Sequence, residues 1–165
     1  MPDLKTRLTS LAYPGNPEVF ALIEKTAVGI HANVPHSTVV EGLGFEGDHD
    51  KKDWWNGKRI SEREVTAVSS EILEELGCGV AVTGDNIVTK GIDLSTLKAG
   101  DRLRIGNVVL RRAVKNHRPC STFARRISDE ARFAVSELNL RGALFAVESG
   151  GRIAPGDSIV FEHST

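Results

Sequence analysis

The stretch that decides the fold is DRLRIGNVVLRRAV, residues 101–114. In its first half Leu103 and Ile105 alternate with Arg102 and Arg104, which is the two-residue period of a half-buried strand. The tripeptide Ile-Gly-Asn that follows predicts a turn, and the apolar run after it predicts a second strand. We therefore expect two short strands joined by a turn, with both arginines on a solvated face.

Patterns of the same kind lie on both sides of this stretch. Short strands are predicted in REVTAV (63–68) and DNIVTKGIDL (85–94), and two strands around a glycine turn are predicted in GALFAVESGGRIAPGDSIVFE (142–162). Helices are predicted in DLKTRLTSL (3–11), SSEILEELG (69–77) and TFARRISDEARFAVSEL (122–138). Many short strands with few helices predict a mainly β fold, a closed or nearly closed β-barrel with a few peripheral α-helices. Neither a repeat nor a low-complexity linker interrupts the chain, so we expect one domain over residues 1–165.

The composition is that of a compact globular chain. Its 165 residues suffice for one well-buried domain, and 40% hydrophobic residues with 16 glycines indicate a turn-rich fold. No apolar run approaches the ~20 residues that span a bilayer, and the charged N-terminus does not resemble a signal peptide. The two cysteines, Cys78 and Cys120, suit a reducing compartment and lack zinc-type spacing. We expect a cytoplasmic location without a membrane partner.

Positive charge is concentrated in one segment. The formal net charge of the chain is −1, yet residues 98–126 hold nine Lys and Arg against the single Asp101. A local cationic segment on a nearly neutral protein favours a small anionic ligand over nucleic acid.

The most reactive candidate lies in KNHRPCSTFARR, residues 115–126. Pro119 biases Arg118 toward an extended backbone, and the residues after Cys120 resemble a helix start. Three influences would favour the thiolate of Cys120: the positive end of a helix dipole, the cations Arg118 and Arg125, and a charged His117. The thiolate is the nucleophilic and metal-binding form of cysteine. The alternative is a buried, inert cysteine that fills a gap in the core.

Two further clusters contain polar residues that could bind a ligand or take part in catalysis. In GFEGDHD, glycines permit a tight turn that holds Asp48, His49 and Asp50, which suits a hard metal or acid–base work, or else a structural turn cap. In GDNIVT, Asn86 and Thr89 suit hydrogen bonds to a heterocycle or a phosphate, but they are also ordinary turn residues. The strand period places them on opposite faces unless a bulge intervenes.

The order of these pieces resembles a known family. EGLGFEGDHD, GKRISEREVTAVSSEIL, GDNIVTKGIDLSTLKAGDRLRIGNVVL, RPCSTF and RGALFAVESGGRIAPGD follow one another as in the MOSC domain, named after the C-terminal domain of molybdenum cofactor sulfurase. The resemblance covers about residues 40–160 and leaves 1–27 as an N-terminal extension. It implies a distorted β-barrel with flanking helices, in agreement with the strand pattern.

The resemblance also implies a role for Cys120. In family members that hold the cofactor, the cysteine of the Pro-Cys motif coordinates molybdenum. In others it has been proposed to carry a sulfane sulfur. Cys120 is thus expected to be the catalytic residue and the metal ligand. The resemblance further implies a set of residues around a molybdopterin cofactor: Arg118 and Arg59 on its phosphate, Asn86 and Thr89 on pterin or phosphate, Asp48 and His49 lining the same cavity, and Arg141 as a later contributor.

These expectations define three functions. The first is a protein that binds a molybdopterin-type cofactor, a small anionic pterin, and reduces small N-oxygenated compounds with a separate electron donor. The second is a non-catalytic sulfur carrier or cofactor chaperone. Because no lysine motif for pyridoxal phosphate is evident, such a carrier would need a separate sulfur donor. The third is a binding module whose cysteine is structural.

Larger cofactor-binding relatives have an additional N-terminal β-barrel domain. In its place this sequence has a short extension and the pair Trp54 and Trp55. These two tryptophans suit a lid, a dimer contact or core filling.

Overall fold

The computed structural model describes residues 2–50 and 60–164 and has the mainly β fold with a few helices that the sequence predicts. The strands are β1 (Glu18–Ala27), β2 (Ile30–Val34), β3 (Ser37–Val40), β4 (Gly44–Phe45), β5 (Val65–Ser69), β6 (Ile87–Lys90), β7 (Arg102–Ile105), β8 (Val108–Arg112), β9 (Ala143–Ser149), β10 (Gly151–Ile153) and β11 (Val160–Glu162). The helices are α1 (Leu4–Thr9), α2 (Ser70–Glu75), α3 (Ser121–Arg126) and α4 (Asp129–Glu137), with a 3₁₀ turn at Leu94–Thr96.

The strands form two sheets. The larger has the order β11-β7-β8-β9-β5-β6-β1-β2, and the smaller has the order β10-β3-β4. The β5–β6 pair is parallel and the other pairs between these strands are antiparallel. Parallel neighbours need a crossover, and the segment that contains α2 supplies it. The larger sheet is therefore mixed.

Strand pairing gives an open sheet with β11 and β2 at its edges, not the closed barrel expected from the sequence. The chain just before β11 does reach β1: the N–H of Val19 donates to the carbonyl of Asp157 at 2.9 Å, and the N–H of Gly156 donates to Val19 at 2.7 Å. Glu18 and Ser158 form a single antiparallel bridge rather than a ladder. Within a few residues of this bridge, the chain leaves β1 and, as β11, pairs with β7. Closure into a barrel stays a prediction.

The stretch at 101–114 folds as predicted. The β7–β8 register pairs Ile105 with Val108, which leaves a two-residue loop whose Gly106 has φ +59°. Glycine takes this left-handed φ without steric cost. Ile105 is buried, whereas Arg104 is exposed and pairs with Glu162 at 2.9 Å.

Three hydrophobic clusters among the described residues hold the sheet and the helices, and two of them bear on the site. The sheet core contains fully buried Leu22, Leu110 and Phe145, and a smaller core joins the helices through Leu8 and Phe123, among others. This second core packs α3 against α4, so the helix that follows Cys120 is anchored. Within the described ranges no helix is both long and apolar enough to cross a membrane.

The helical pattern at 122–138 is divided between two helices. α3 ends before Ile127, and α4 begins after Ser128, whose hydroxyl accepts the N–H of Ala131 at 3.0 Å. A serine N-cap satisfies one of the first free N–H groups of a helix. The sequence predicted the helical content but not this break.

Candidate functional site

Cys120 occupies the N-cap position of α3 and is exposed. Its neighbour Pro119 is buried, and Phe123, one turn later, is buried in the helical core. The sulfur is therefore held at the surface by an anchored helix, which excludes the buried, gap-filling alternative. Cys78 differs, because it is half-buried and burial raises the pKa of its thiol.

The pKa of the Cys120 thiol lies below its ordinary value. Partial burial acts to raise this pKa, but the nearby backbone N–H groups of Phe123 and Thr122 and the Thr122 hydroxyl lower it, although the Cys120 side chain makes no capping hydrogen bond. The positive charge of Arg141 lowers it further. The helix start thus acts on the sulfur as predicted, whereas the cation among the main influences is Arg141 and not Arg118.

A small pocket opens beside the sulfur. It has a volume of about 60 Å³, and its walls include Cys120, Thr83, Phe123, Arg126 and Arg141. The sequence predicted Arg141 as a contributor to the site, and the structure brings it to the same pocket as Cys120.

Arg141 belongs to a buried polar triad. Its Nη1 donates to Asp85 Oδ2 at 2.5 Å, and the other carboxylate oxygen of Asp85 pairs with His117 Nε2 at 3.2 Å. The Arg141 guanidinium also lies 5.3 Å from the centre of the Phe123 ring. Asp85 is 1% exposed, so its charge is compensated only by these partners.

The triad fixes the charge states of its members. Burial acts to raise the pKa of Asp85, but Arg141 and His117 outweigh it and hold this pKa well below its usual range. Burial lowers the pKa of His117, and Arg141 and Arg63 add to this effect against the attraction of Asp85. His117 is therefore neutral near pH 7, and the prediction of a charged histidine beside Cys120 is wrong.

Sequence reasoning missed Asp85. It directly precedes Asn86 in GDNIVT, where only the amide and the threonine were considered. A carboxylate at the start of a buried strand needs a compensating partner, and that requirement could have singled it out.

Asn86 and Asp48 meet, but in a structural network. Asn86 is fully buried, and its Nδ2 donates to Asp48 Oδ2 at 2.8 Å and to the carbonyl of Ile23 at 3.2 Å. Its Oδ1 accepts the N–H of Thr66 at 3.1 Å, and Asp48 accepts the N–H of Lys25 at 2.7 Å. These bonds tie the Asp48 loop to β1, β5 and the start of β6.

The other predicted ligands either do not line the Cys120 pocket or lie outside the described residues. Thr89 is fully buried, with its hydroxyl 3.5 Å from the carbonyl of Val68, and His49 is half-buried, with Nδ1 3.2 Å from the carbonyl of Asp50. Neither lines the pocket. In residues 2–50 and 60–164, no group of three or more His, Cys, Asp or Glu has the arrangement of a metal site. Three predicted features lie outside the described residues: Arg59, Trp54 and Trp55.

Three arginines around Cys120 have no carboxylate partner among the described residues. Arg118, Arg125 and Arg126 are exposed, and the hydrogen bonds of Arg125 and Arg126 go to Thr122 and to the carbonyl of Val82. Three other cations of the basic segment are paired with glutamates: Arg102, Arg104 and Arg111. Among the described residues, no carboxylate pairs with Lys98, Arg112 or Lys115 either. Part of the uncompensated positive charge of this segment thus flanks the cysteine.

The model of the MOSC domain family matches residues 59–160, which include Cys120 and the whole buried triad. The chain belongs to the MOSC family. No curated protein matches its sequence significantly.

Solved structures agree with the MOSC fold. YuaD from Bacillus subtilis is 21% identical and has a TM-score of 0.71, with 91% of this chain and 98% of that chain covered. YiiM from Geobacillus stearothermophilus is 19% identical, with a TM-score of 0.64 over 88% of this chain and 74% of that one. YiiM from Escherichia coli is 20% identical, with a TM-score of 0.61 over 92% of this chain and 72% of that one. At these identities the likeness establishes the fold alone.

Proposed function

We propose that this MOSC protein binds a molybdopterin-type cofactor through the thiolate of Cys120 and reduces small N-oxygenated compounds. The observation that carries the proposal is an exposed thiol with a lowered pKa, flanked by arginines that have no carboxylate partner in the part of the chain that the structure describes. Thiolates are soft metal ligands, and arginine suits bidentate binding of phosphate.

The donor set fits such a cofactor. The cofactor is anionic and binds metal through sulfur, and this face of the protein offers one thiolate and uncompensated guanidinium groups. The 60 Å³ pocket is too small for a pterin, since ligand pockets usually measure about 300–1,000 Å³. A cavity of about 400 Å³ has the size of a ligand pocket, and its wall includes Glu62, Arg63, Lys115 and Asn116 but not Cys120. The pterin therefore binds outside the 60 Å³ pocket.

Each residue then has a defined task. The bound cofactor supplies the oxidation–reduction chemistry at its metal. Cys120 holds the metal, and Arg141 favours the ionised sulfur that can do so. Arg118 attracts the phosphate, and Asp85 fixes the guanidinium of Arg141. An electron donor must be a separate partner.

Elemental analysis tests the proposal. Protein freshly isolated from a molybdenum-competent host should contain molybdenum in stoichiometric amount. Cys120→Ser should lose it, because an alcohol is a poor ligand for a soft metal. Cys78→Ser is the matched control and should retain it, since Cys78 lies outside the Cys120 pocket. Full molybdenum content in Cys120→Ser would contradict the assignment.

A second candidate is a sulfur carrier in which Cys120 holds a persulfide. The observation that favours it is the pocket of about 60 Å³ beside the thiol, which has room for one added sulfur atom but not for a pterin. The same preparation separates the two functions. Cyanide-releasable sulfur without molybdenum, lost in Cys120→Ser, supports the carrier and implies a separate sulfur donor.

A further inference from the structure

The pocket beside Cys120 is small. Its volume of about 60 Å³ has room for a few water molecules, which is the scale of a trigonal or tetrahedral inorganic oxyanion. Two arginines, Arg126 and Arg141, and two threonines, Thr83 and Thr122, line it together with the apolar side chains of Phe123 and Ile127. Among the described residues that line it, none carries a carboxylate.

Both arginines have donors to spare. A guanidinium carries five N–H groups in a rigid fork. Within the described part of the chain, Arg141 uses its donors only toward Asp85 and the carbonyl of Thr83, and the latter distance is a long 3.4 Å. Arg126 donates only to the carbonyl of Val82 at 3.3 Å. The remaining N–H groups are available to an acceptor in the pocket.

Thr83 supplies an independent sign of a missing partner. Its Oγ1 is buried, yet no described residue forms a hydrogen bond with it. A buried hydroxyl without a partner is costly, and such groups in native structures are usually satisfied by water or a bound ion.

We propose that this pocket is a subsite for a small inorganic oxyanion, held by Arg126, Arg141 and the hydroxyl of Thr83 against Cys120. Two guanidinium groups and a hydroxyl offer several donors to oxygen atoms, and charge-assisted hydrogen bonds to an oxyanion are the stronger kind. The subsite lies beside the proposed metal-binding sulfur but does not depend on the cofactor, because the pterin cannot enter a volume this small.

Protection from alkylation tests the subsite in protein isolated from cells grown without molybdenum, in which no metal blocks the sulfur. Iodoacetamide is neutral, so its rate with Cys120 reports access to the sulfur, and Cys78 is an internal reference. Sodium sulfate is titrated at constant ionic strength against sodium chloride, and each cysteine is followed by peptide mass spectrometry. We expect saturable protection of Cys120, several-fold at its limit, and no protection of Cys78.

Two variants identify the ligands. Arg126→Ala should raise the half-protecting sulfate concentration by roughly tenfold, the effect of one lost hydrogen bond to a charged group. Arg125→Ala is the matched control: it removes the same charge from the same helix at a residue outside the pocket, and should change the concentration less than twofold.

Three results would overturn the inference. The first is protection by chloride equal to that by sulfate. The second is an equal effect of Arg125→Ala and Arg126→Ala, which would mean general attraction to a basic surface. The third is equal protection by a naphthalenesulfonate, whose ring system exceeds the pocket. Failure of sulfate protection, with normal molybdenum content in protein from a molybdenum-competent host, would remove the subsite and leave the proposed function intact.

Discussion

At the scale of single residues, the pKa of the Cys120 thiol depends on Arg141, a cation that is paired with the buried carboxylate of Asp85. Arg141 lowers the pKa of the thiol, and Asp85 holds Arg141 through a buried ion pair. Removing one member of such a pair leaves an uncompensated charge and typically costs about 3–5 kcal/mol of stability. A clean test must therefore neutralise both partners together.

The double variant Asp85→Asn/Arg141→Gln should raise the pKa of Cys120. It removes the positive charge near the sulfur while amide groups retain hydrogen bonding in the buried site. The pH profile of alkylation at Cys120 should move to higher pH. Arg118→Ala, which removes an exposed charge two positions before Cys120, should move the profile less. A larger displacement for Arg118→Ala than for the double variant would contradict this account.

The sequence predicted local features of these residues and missed the distant ones. The helix start after Cys120 is encoded within a few positions, and it was predicted correctly. The ion pair between Asp85 and Arg141 spans 56 positions, and no local pattern encodes it. Asn86 and Thr89 are polar types whose burial cannot be read from the sequence. They are satisfied by protein partners, and their role as cofactor ligands stays a prediction.

At the scale of elements, the start of β9 positions Arg141 against the pocket. Gly142 follows this arginine, has φ +122°, and lies so close to β5 that a Cβ there would overlap the carbonyl oxygen of Ala67. Only glycine permits both the backbone conformation and the approach of the two strands. The register that pairs Ala67 with Ala143 begins directly after it.

Gly142→Ala should destabilise the protein by about 3 kcal/mol or more, because backbone strain and overpacking act together. Gly106→Ala is the matched control, since it also has a positive φ but nothing within 4 Å of the added Cβ, and should cost only about 1–2 kcal/mol. Urea unfolding of both variants measures the difference. Equal losses would show that the close strand approach contributes nothing.

Elements of regular pattern were predicted better than their boundaries. Alternation predicted the first strand of 101–114 and the apolar run predicted the second, because β7 buries one face whereas β8 is buried at four of its five positions. The segment 122–138 gave helical content but not the break at Ser128. The final stretch was read as two strands and contains three, β9, β10 and β11.

At the scale of the whole molecule, strand order was beyond sequence reasoning. Period and turn signals identify strands, but they do not say which strands pair. The parallel β5–β6 pair and the contact of the chain before β11 with β1 join distant segments. The buried triad does the same, since it ties the start of β6 to the loop before α3 and to the start of β9.

This triad makes global stability depend on pH. The pKa of His117 is lowered below its ordinary value of 6.5 in the folded protein. Between these two pKa values the unfolded chain binds a proton that the folded protein does not bind, so stability falls as pH falls. Asp85 acts in the same direction at lower pH. Its folded pKa is depressed, so its contribution is lost as pH falls below the ordinary value of 3.8.

The free energy of unfolding should therefore decrease from pH 7.5 to pH 5, by at most about 1.4 kcal/mol per pH unit from His117 below pH 6.5. Urea unfolding across this range measures the slope. In His117→Gln the side-chain amide can still donate to Asp85 but does not titrate, so the part of the slope that begins near pH 6.5 should disappear. An equal slope in His117→Gln and in the unchanged protein would contradict the buried, neutral state of His117. It would then also contradict the charge balance of the triad in which Arg141 lowers the pKa of the Cys120 thiol.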